Sequence, residues 1–194
     1  VTSLLFDESG EHTVTVYVKK EDGSVSEGKT VSFKIDNKAP EFGTTKYPEN
    51  IKVIDGYVIG KDAFDISIPV SDEYSDIAKV TYVMGTITGN VSLVDGVAVI
   101  TVPKGYNGDI IIKAIDNAGN ETTKSLSVDA GASNGFIVEA TAPIVNVTAN
   151  GAGLKDMYHC EELEAIEVTV TDQGTVVSGL ASIKYTLAGK ETVV

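Results

Sequence analysis

The side chains able to catalyse a reaction or hold a metal are few and scattered. The two histidines, His12 and His159, lie far apart, and Cys160 is the single cysteine. Neither histidine has the spacing of a nucleophilic triad or a zinc site, so each reads as a surface residue. Cys160 is followed by Glu161 and Glu162, whose charges disfavour a thiolate, which makes it a structural cysteine rather than a nucleophile. A single cysteine also excludes an internal disulfide framework. Acidic residues are plentiful but fall in turns, where they cap and solvate. Glycoside hydrolysis instead needs two carboxylates facing each other across a cleft. There is no phosphate loop, nucleotide fingerprint or serine elbow. The sequence assigns no catalytic and no cofactor-binding residue, and the chain reads as a non-enzyme.

Calcium is the one ion for which the chain has candidate chemistry. Ile35-Asp-Asn-Lys-Ala-Pro40 resembles the junction between cadherin repeats, where Asp and Asn oxygens ligate calcium between modules, and Asp72, Glu73 and Asp76 share one loop. Against this, calcium takes about six to eight oxygens. Lys38 carries a positive charge into the first junction, and Thr141 stands where the second would need an acid. No metal ligand is therefore assigned. Asp116 and Asn117 read as turn formers. Tyr57, Tyr74, Tyr82 and Tyr106 are candidates for stacking on sugars, although the chain has no tryptophan. Lys34 falls on the polar face of its strand, which argues against a lysine–asparagine cross-link. The sequons at Asn90, Asn120 and Asn146 would be chance in a bacterial protein and would matter in a secreted eukaryotic one.

Charge narrows the partners. The formal net charge is −13, and lysine supplies all 15 basic residues, without one arginine. Phosphate recognition needs basic clusters, so the charge argues strongly against nucleic acid as a partner, and also against an anionic membrane surface. No apolar run reaches the roughly 18 residues of a membrane span, and the first residues are not a signal peptide. The expectation is a segment of a secreted protein, with any export signal or anchor outside it.

The elements that must position these residues are strands. Thr13–Lys19 and Lys29–Asp36 alternate apolar and polar residues, as do Phe64–Val70, Ile77–Met84 and Val97–Val102. Further strands are expected at Ser3–Phe6, Val91–Leu93, Phe136–Ala140, Ile144–Ala149, Leu163–Thr171 and Leu180–Leu187. Thr88-Gly-Asn90 and Asp95-Gly96 supply turns. Gly108–Asp116 is expected to run as a strand into the Asp116–Asn120 turn and return over Glu121–Val128, with Ile110, Ile112 and Ala114 on one face. No stretch holds a helical period over three turns.

The chain also repeats itself. Ala39-Pro40 recurs as Ala142-Pro143, about 103 residues on, and Ile66-Ser-Ile-Pro-Val-Ser-Asp72 recurs as Ile166-Glu-Val-Thr-Val-Thr-Asp172. Ile77–Gly85 recurs as Leu180–Gly189, and the Gly108–Asp129 hairpin lines up with Val14–Asp36. That period fits one immunoglobulin-sized sandwich. The expected architecture is all-β, with immunoglobulin-like β-sandwich modules in tandem, one complete and two partial. Residues 1–39 would be the C-terminal strands of a preceding module, 40–141 a complete sandwich, and 142–194 the N-terminal strands of a following one.

Ala-Ile-Asp-Asn-Ala-Gly-Asn at 114–120, the Ala-Pro junctions, and the Val170-Thr-Asp…Ser-Gly-Leu-Ala-Ser-Ile-Lys-Tyr185 run resemble tandem bacterial immunoglobulin-like (Big-type) domains. The resemblance covers nearly the whole chain. It implies a location on a bacterial surface or outside the cell, often in Gram-positive species, and carries over no catalytic residue. The function it implies is that of a structural spacer, projecting or linking other domains. The alternatives are an adhesion or carbohydrate-binding module, and an accessory domain of a secreted glycoside hydrolase. The expected partners are neighbouring Ig-like modules, of the same chain or another, and glycans or host surface proteins. The two terminal segments are complementary halves, so neighbouring molecules could complete a sandwich head to tail.

Overall fold

A computed structural model describes residues 3–149, 151–153, 166–174, 178–187 and 189–194. His159 and Cys160 lie outside the described residues. Strands dominate. The N-terminal segment contributes β1 (Gly10–Val16) and β2 (Lys29–Ile35). After the Pro40 junction come β3 (Glu41–Phe42), β4 (Lys52–Ile54), β5 (Tyr57–Gly60), β6 (Phe64–Ser71), β7 (Ile77–Met84), β8 (Ile87–Val91) and β9 (Val97–Val102). Then follow β10 (Asn107–Gly108), β11 (Ile110–Asp116), β12 (Glu121–Ser125), the single helical turn α1 (Leu126–Asp129) and β13 (Gly135–Val138). The last segment holds β14 (Ile144–Ala149), β15 (Ala152–Gly153), β16 (Ile166–Thr171), β17 (Lys184–Leu187) and β18 (Lys190–Val193).

Two sheets make the central sandwich. One runs β3-β6-β9 and the other β12-β11-β7-β8, all antiparallel. This is the pairing of an Ig-like fold, in which each sheet turns alternate residues inward. From the first sheet Ile66, Ile68, Ala98, Ile100 and Val102 are buried; from the second, Val80, Met84, Ile110, Ile112 and Ala114. The inward face of β11 is the one its alternation predicts. A third sheet, β10-β13-β5-β4, closes one side, with β13 parallel to β5. It brings Val58, Phe136 and Val138 into the same core. Gly135, at φ 103°, permits the approach of β13 to β10: a Cβ there would lie 2.7 Å from the Gly108 carbonyl carbon.

The local departures from the sequence reading have physical causes. Ser3–Phe6 forms no strand; it meets no ladder, and Leu4 and Leu5 are exposed. The turn expected at Thr88–Asn90 falls at Gly85, whose φ of 60° suits it, so β8 covers Ile87–Val91. The return strand stops at Ser125 instead of Val128. There the Ser125 hydroxyl accepts from Val128 N, and Asp109 Oδ1 accepts from both the amide and hydroxyl of Ser127. These bonds wind the chain into α1 and drive Leu126 into the core. The β4–β5 hairpin turns on Asp55-Gly56, with φ 50° and 77°, and the Asp95-Gly96 turn has the same handedness at φ 51° and 74°. Both are the Asp-Gly signal of a tight hairpin.

Tyr47 ties the first sheet's approach segment to α1. Its hydroxyl donates to Leu126 O at 2.6 Å and to Asp129 Oδ2 at 3.0 Å, and Lys124 Nζ pairs with Asp129 Oδ1 at 2.8 Å. Burial, then the neighbouring Asp129 carboxylate, pushes the phenol well above its usual range. Tyr47→Phe should cost about 1 kcal/mol by chemical denaturation, because the hydroxyl's bonding is lost without a change in shape while Leu126 O keeps Ala130 N and Asp129 keeps Lys124.

Acid should weaken the sandwich through Asp109, Asp116 and Asp129. Burial pushes each carboxyl up, but its hydrogen bonds outweigh that and hold it below the ordinary value. A folded-state value depressed below the unfolded one, about 4 for aspartate, gives stability that is complete above pH 4. That stability drains away as pH falls through the lowered folded values. Melting temperature should therefore be flat from pH 7 to 5 and fall below 4, with Asp109→Asn flattening part of the drop.

Candidate metal centre at the first junction

Three strands end at one point. Asp36 directly follows β2, Asp72 directly follows β6, and Asp116 is the last residue of β11. One carboxylate oxygen from each lies within 4.8 Å of the others, and among the described residues this is the only such acidic group. The three come from the N-terminal hairpin and from both sheets of the sandwich. The convergence is therefore tertiary, across 80 residues of chain.

Each carboxylate is held by its own backbone. Asp72 Oδ1 accepts from Tyr74 N at 3.0 Å and Ser75 N at 2.7 Å. Asp36 Oδ1 accepts from Lys38 N at 3.0 Å. Asp116 is buried at 2% exposure; its Oδ1 accepts from Gly119 N at 2.7 Å and Asn120 N at 2.9 Å, and its Oδ2 from Asn120 Nδ2 at 2.8 Å. The Asp116–Asn120 turn is stitched to its neighbours as well. Asn117 Nδ2 donates to Ser75 O at 2.6 Å, and Asn120 Nδ2 to Asp36 O at 3.3 Å.

What remains is unbalanced. Asp36 Oδ2 and Asp72 Oδ2 are buried and have no hydrogen-bond partner. A buried acceptor without a donor costs about 1–3 kcal/mol. Like charges brought together by three chain segments also repel one another. Lys38, whose charge would relieve this, is directed elsewhere: its Nζ pairs with Glu73 Oε2 at 3.1 Å and lies 5.0 Å from the centre of the Tyr74 ring.

An oxygen-only donor set without histidine or cysteine suits a hard cation. Calcium–oxygen distances of about 2.3–2.6 Å place opposed ligands up to about 5 Å apart, so the span fits that ion. Asp36, Asp72 and Asp116 would hold it, with other oxygens completing the shell. A groove lined by Lys38, Ala39, Glu41, Ser71, Asp72 and Glu73 opens alongside.

Of the sequence candidates, the structure brings Asp36 and Asp72 together and leaves Glu73 to Lys38. Asp116 forms the turn expected of it and also supplies the third carboxylate, which the sequence reading missed. The signal was its place at the end of an inward-alternating strand, since a polar residue in the next inward position after Ala114 must be buried. His12 is partly exposed, stacked on Phe33 with ring centres 5.6 Å apart and bonded through Nε2 to Glu8 O. The tyrosines form no shared platform: Tyr82 and Tyr106 pack against the core, and Tyr74 lies beneath Lys38. Lys34 is exposed and pairs with Glu11. Among the described residues no helix is long and apolar enough to cross a membrane.

No protein-family model matches the chain, and no characterised protein matches it significantly.

Proposed function

We propose that the chain is a run of bacterial immunoglobulin-like spacer modules, non-catalytic and extracellular, with a calcium ion bracing its first junction. The observation that supports the ion is the pair of buried, donorless oxygens on Asp36 and Asp72, in a group whose third member is Asp116. A spacer projects another domain only if its joints resist bending. Asp36 lies on one side of the Pro40 junction and Asp72 and Asp116 on the other, so an ion among them fixes the hairpin against the sandwich. It also clips the sandwich's two sheets, because β6 and β11 belong to different ones.

Proline in the junction complements the ion. Pro40 is buried, and proline restricts both itself and the residue before it, which leaves few backbone rotations to be fixed. The test is limited proteolysis of the full chain in calcium and in a chelator. Calcium should protect the 36–40 linker and slow release of the β1–β2 hairpin by about tenfold or more, the factor for roughly 1.4 kcal/mol of protection. Equal cleavage rates in the two conditions would remove the support for this reading.

A further inference from the structure

Strand β9 is the last of its sheet, paired with β6 on one side and with no strand on the other among the described residues. Its sequence, Val97-Ala-Val-Ile-Thr-Val102, has no charge, no proline and no glycine. Sheet edges are usually blunted by charge, proline, a bulge or shortness. The other edges of the two sandwich sheets follow that rule: β12 carries Glu121 and Lys124, β8 has Gly89 at its centre, and β3 spans only Glu41–Phe42. The free groups of β9 have a fixed direction. Val97 N donates to Val94 O at 2.9 Å and Val97 O accepts from Val94 N at 3.0 Å, while Gly96 O, one residue earlier, accepts from Val70 N on β6. Backbone groups alternate in direction along a strand, so the N–H and C=O of Val99 and Thr101 point away from β6, as those of Val97 do. Both residues are exposed, Val99 at 48%.

We infer that β9 pairs with β9 of a second copy of this chain, antiparallel about a twofold axis at Ile100, with Val99 of each strand facing Thr101 of the other. That register gives every free N–H and C=O of both strands a partner, and the pairing ends itself. Beyond Thr101 and Val99, Pro103 of one copy faces Val97 of the other: Val97 already has Val94, and Pro103 has no N–H to leave unbonded. The chain also turns away there, where Tyr106 N donates to Pro103 O at 3.2 Å. Shifted by two residues, Thr101 would meet the occupied Val97, or Val99 would meet Pro103. Charge favours the same arrangement. Lys104 and Asp95 flank the strand at opposite ends, both exposed and without an ion-pair partner among the described residues. Antiparallel copies set Lys104 of each beside Asp95 of the other. In a chain of net charge −13, an uncharged edge is also where two copies approach with least repulsion. The contact is isologous, and it makes one continuous sheet of β3, β6 and β9 from both copies. Ala98, Ile100 and Val102 stay in their own cores, so two spacers are joined side by side without either being opened.

Sedimentation equilibrium of the full chain at low salt, from about 10 μM to about 1 mM, tests this. The parent is expected to pass from monomer to dimer within that range. Val99→Pro removes a free N–H of the edge and no ladder bond to β6, and should weaken the dimer at least about tenfold. Lys104→Glu should weaken it at least about threefold, and adding Asp95→Asn, which suits the same turn, should restore part of the loss. Circular dichroism checks the fold of each variant; if the proline variant does not fold, the Lys104→Glu comparison decides. The register is read in a Cys160→Ser background. Copies carrying Val99→Cys, mixed with copies carrying Thr101→Cys, should oxidise to the mixed disulfide faster than either alone, since directly paired Cα atoms lie about 5.5 Å apart. A chain that stays monomeric throughout would overturn the inference. So would a dimer of unchanged strength in the deciding variant, or like-with-like disulfides that form as fast as the mixed one.

Discussion

Ile112→Asp is expected to abolish the cooperative melting transition of the central sandwich. Ile112 is fully buried, midway along β11, with β7 on one side and β12 on the other. Removing its side chain forfeits about 2–3 kcal/mol of apolar burial, and desolvating the carboxylate adds several more. The sum consumes most of the roughly 5–15 kcal/mol that holds a domain together. Its neighbour Ile111 points the other way and is 38% exposed, so Ile111→Asp should cost about 1 kcal/mol or less. A calorimetric scan of the pair measures both effects. A native-like transition in Ile112→Asp would mean that the buried face of β11 has been misassigned.

That face was legible in the sequence because side-chain alternation is a local property of the backbone. The same holds for β6 and β9, where period-2 patterning alone located strands and inward residues. The Asp55-Gly56 hairpin was also local and went unread, although it carries the same turn signal as Asp95-Gly96. Other features were not local. The helical turn at Leu126–Asp129 depends on Asp109, distant in sequence, receiving Ser127. The acidic cluster depends on three strand ends meeting: Asp36 and Asp72 each drew notice from their own loops, but nothing in either loop says that Asp116 closes on them. Lys38 misled for a similar reason. Its charge lies within the junction, but its side chain leaves for Glu73 and Tyr74.

Asp72→Asn is expected to have opposite effects in chelator and in calcium. Asparagine keeps a carbonyl oxygen to accept from Tyr74 N and Ser75 N. It removes one charge from the cluster and adds an amide donor beside the orphaned Asp36 oxygen. Without calcium the variant should melt at or above the parent, since one of three carboxylates held within 4.8 Å of one another loses its charge. In calcium at about a hundredfold over its dissociation constant, the parent gains about 2.7 kcal/mol and the variant almost none. The two melting curves should therefore cross as calcium is added. A variant destabilised equally in both conditions would show that Asp72 matters for its turn and not for an ion.

Asp116→Asn gives a weaker contrast. Asp116 already accepts from Gly119 and Asn120, so the substitution also disturbs the turn. Asp36 and Asp72, with their free oxygens, are the positions at which ion binding separates from folding.

The most direct measurement is an isothermal titration of calcium into the full chain, beside the same titration of Asp72→Asn. The parent is expected to bind one calcium ion per chain saturably, and the variant to bind more than about tenfold more weakly with its fold intact. The absence of saturable binding to the parent, or equal affinity in the two proteins, would contradict the assignment of Asp36, Asp72 and Asp116 as a calcium-bound joint.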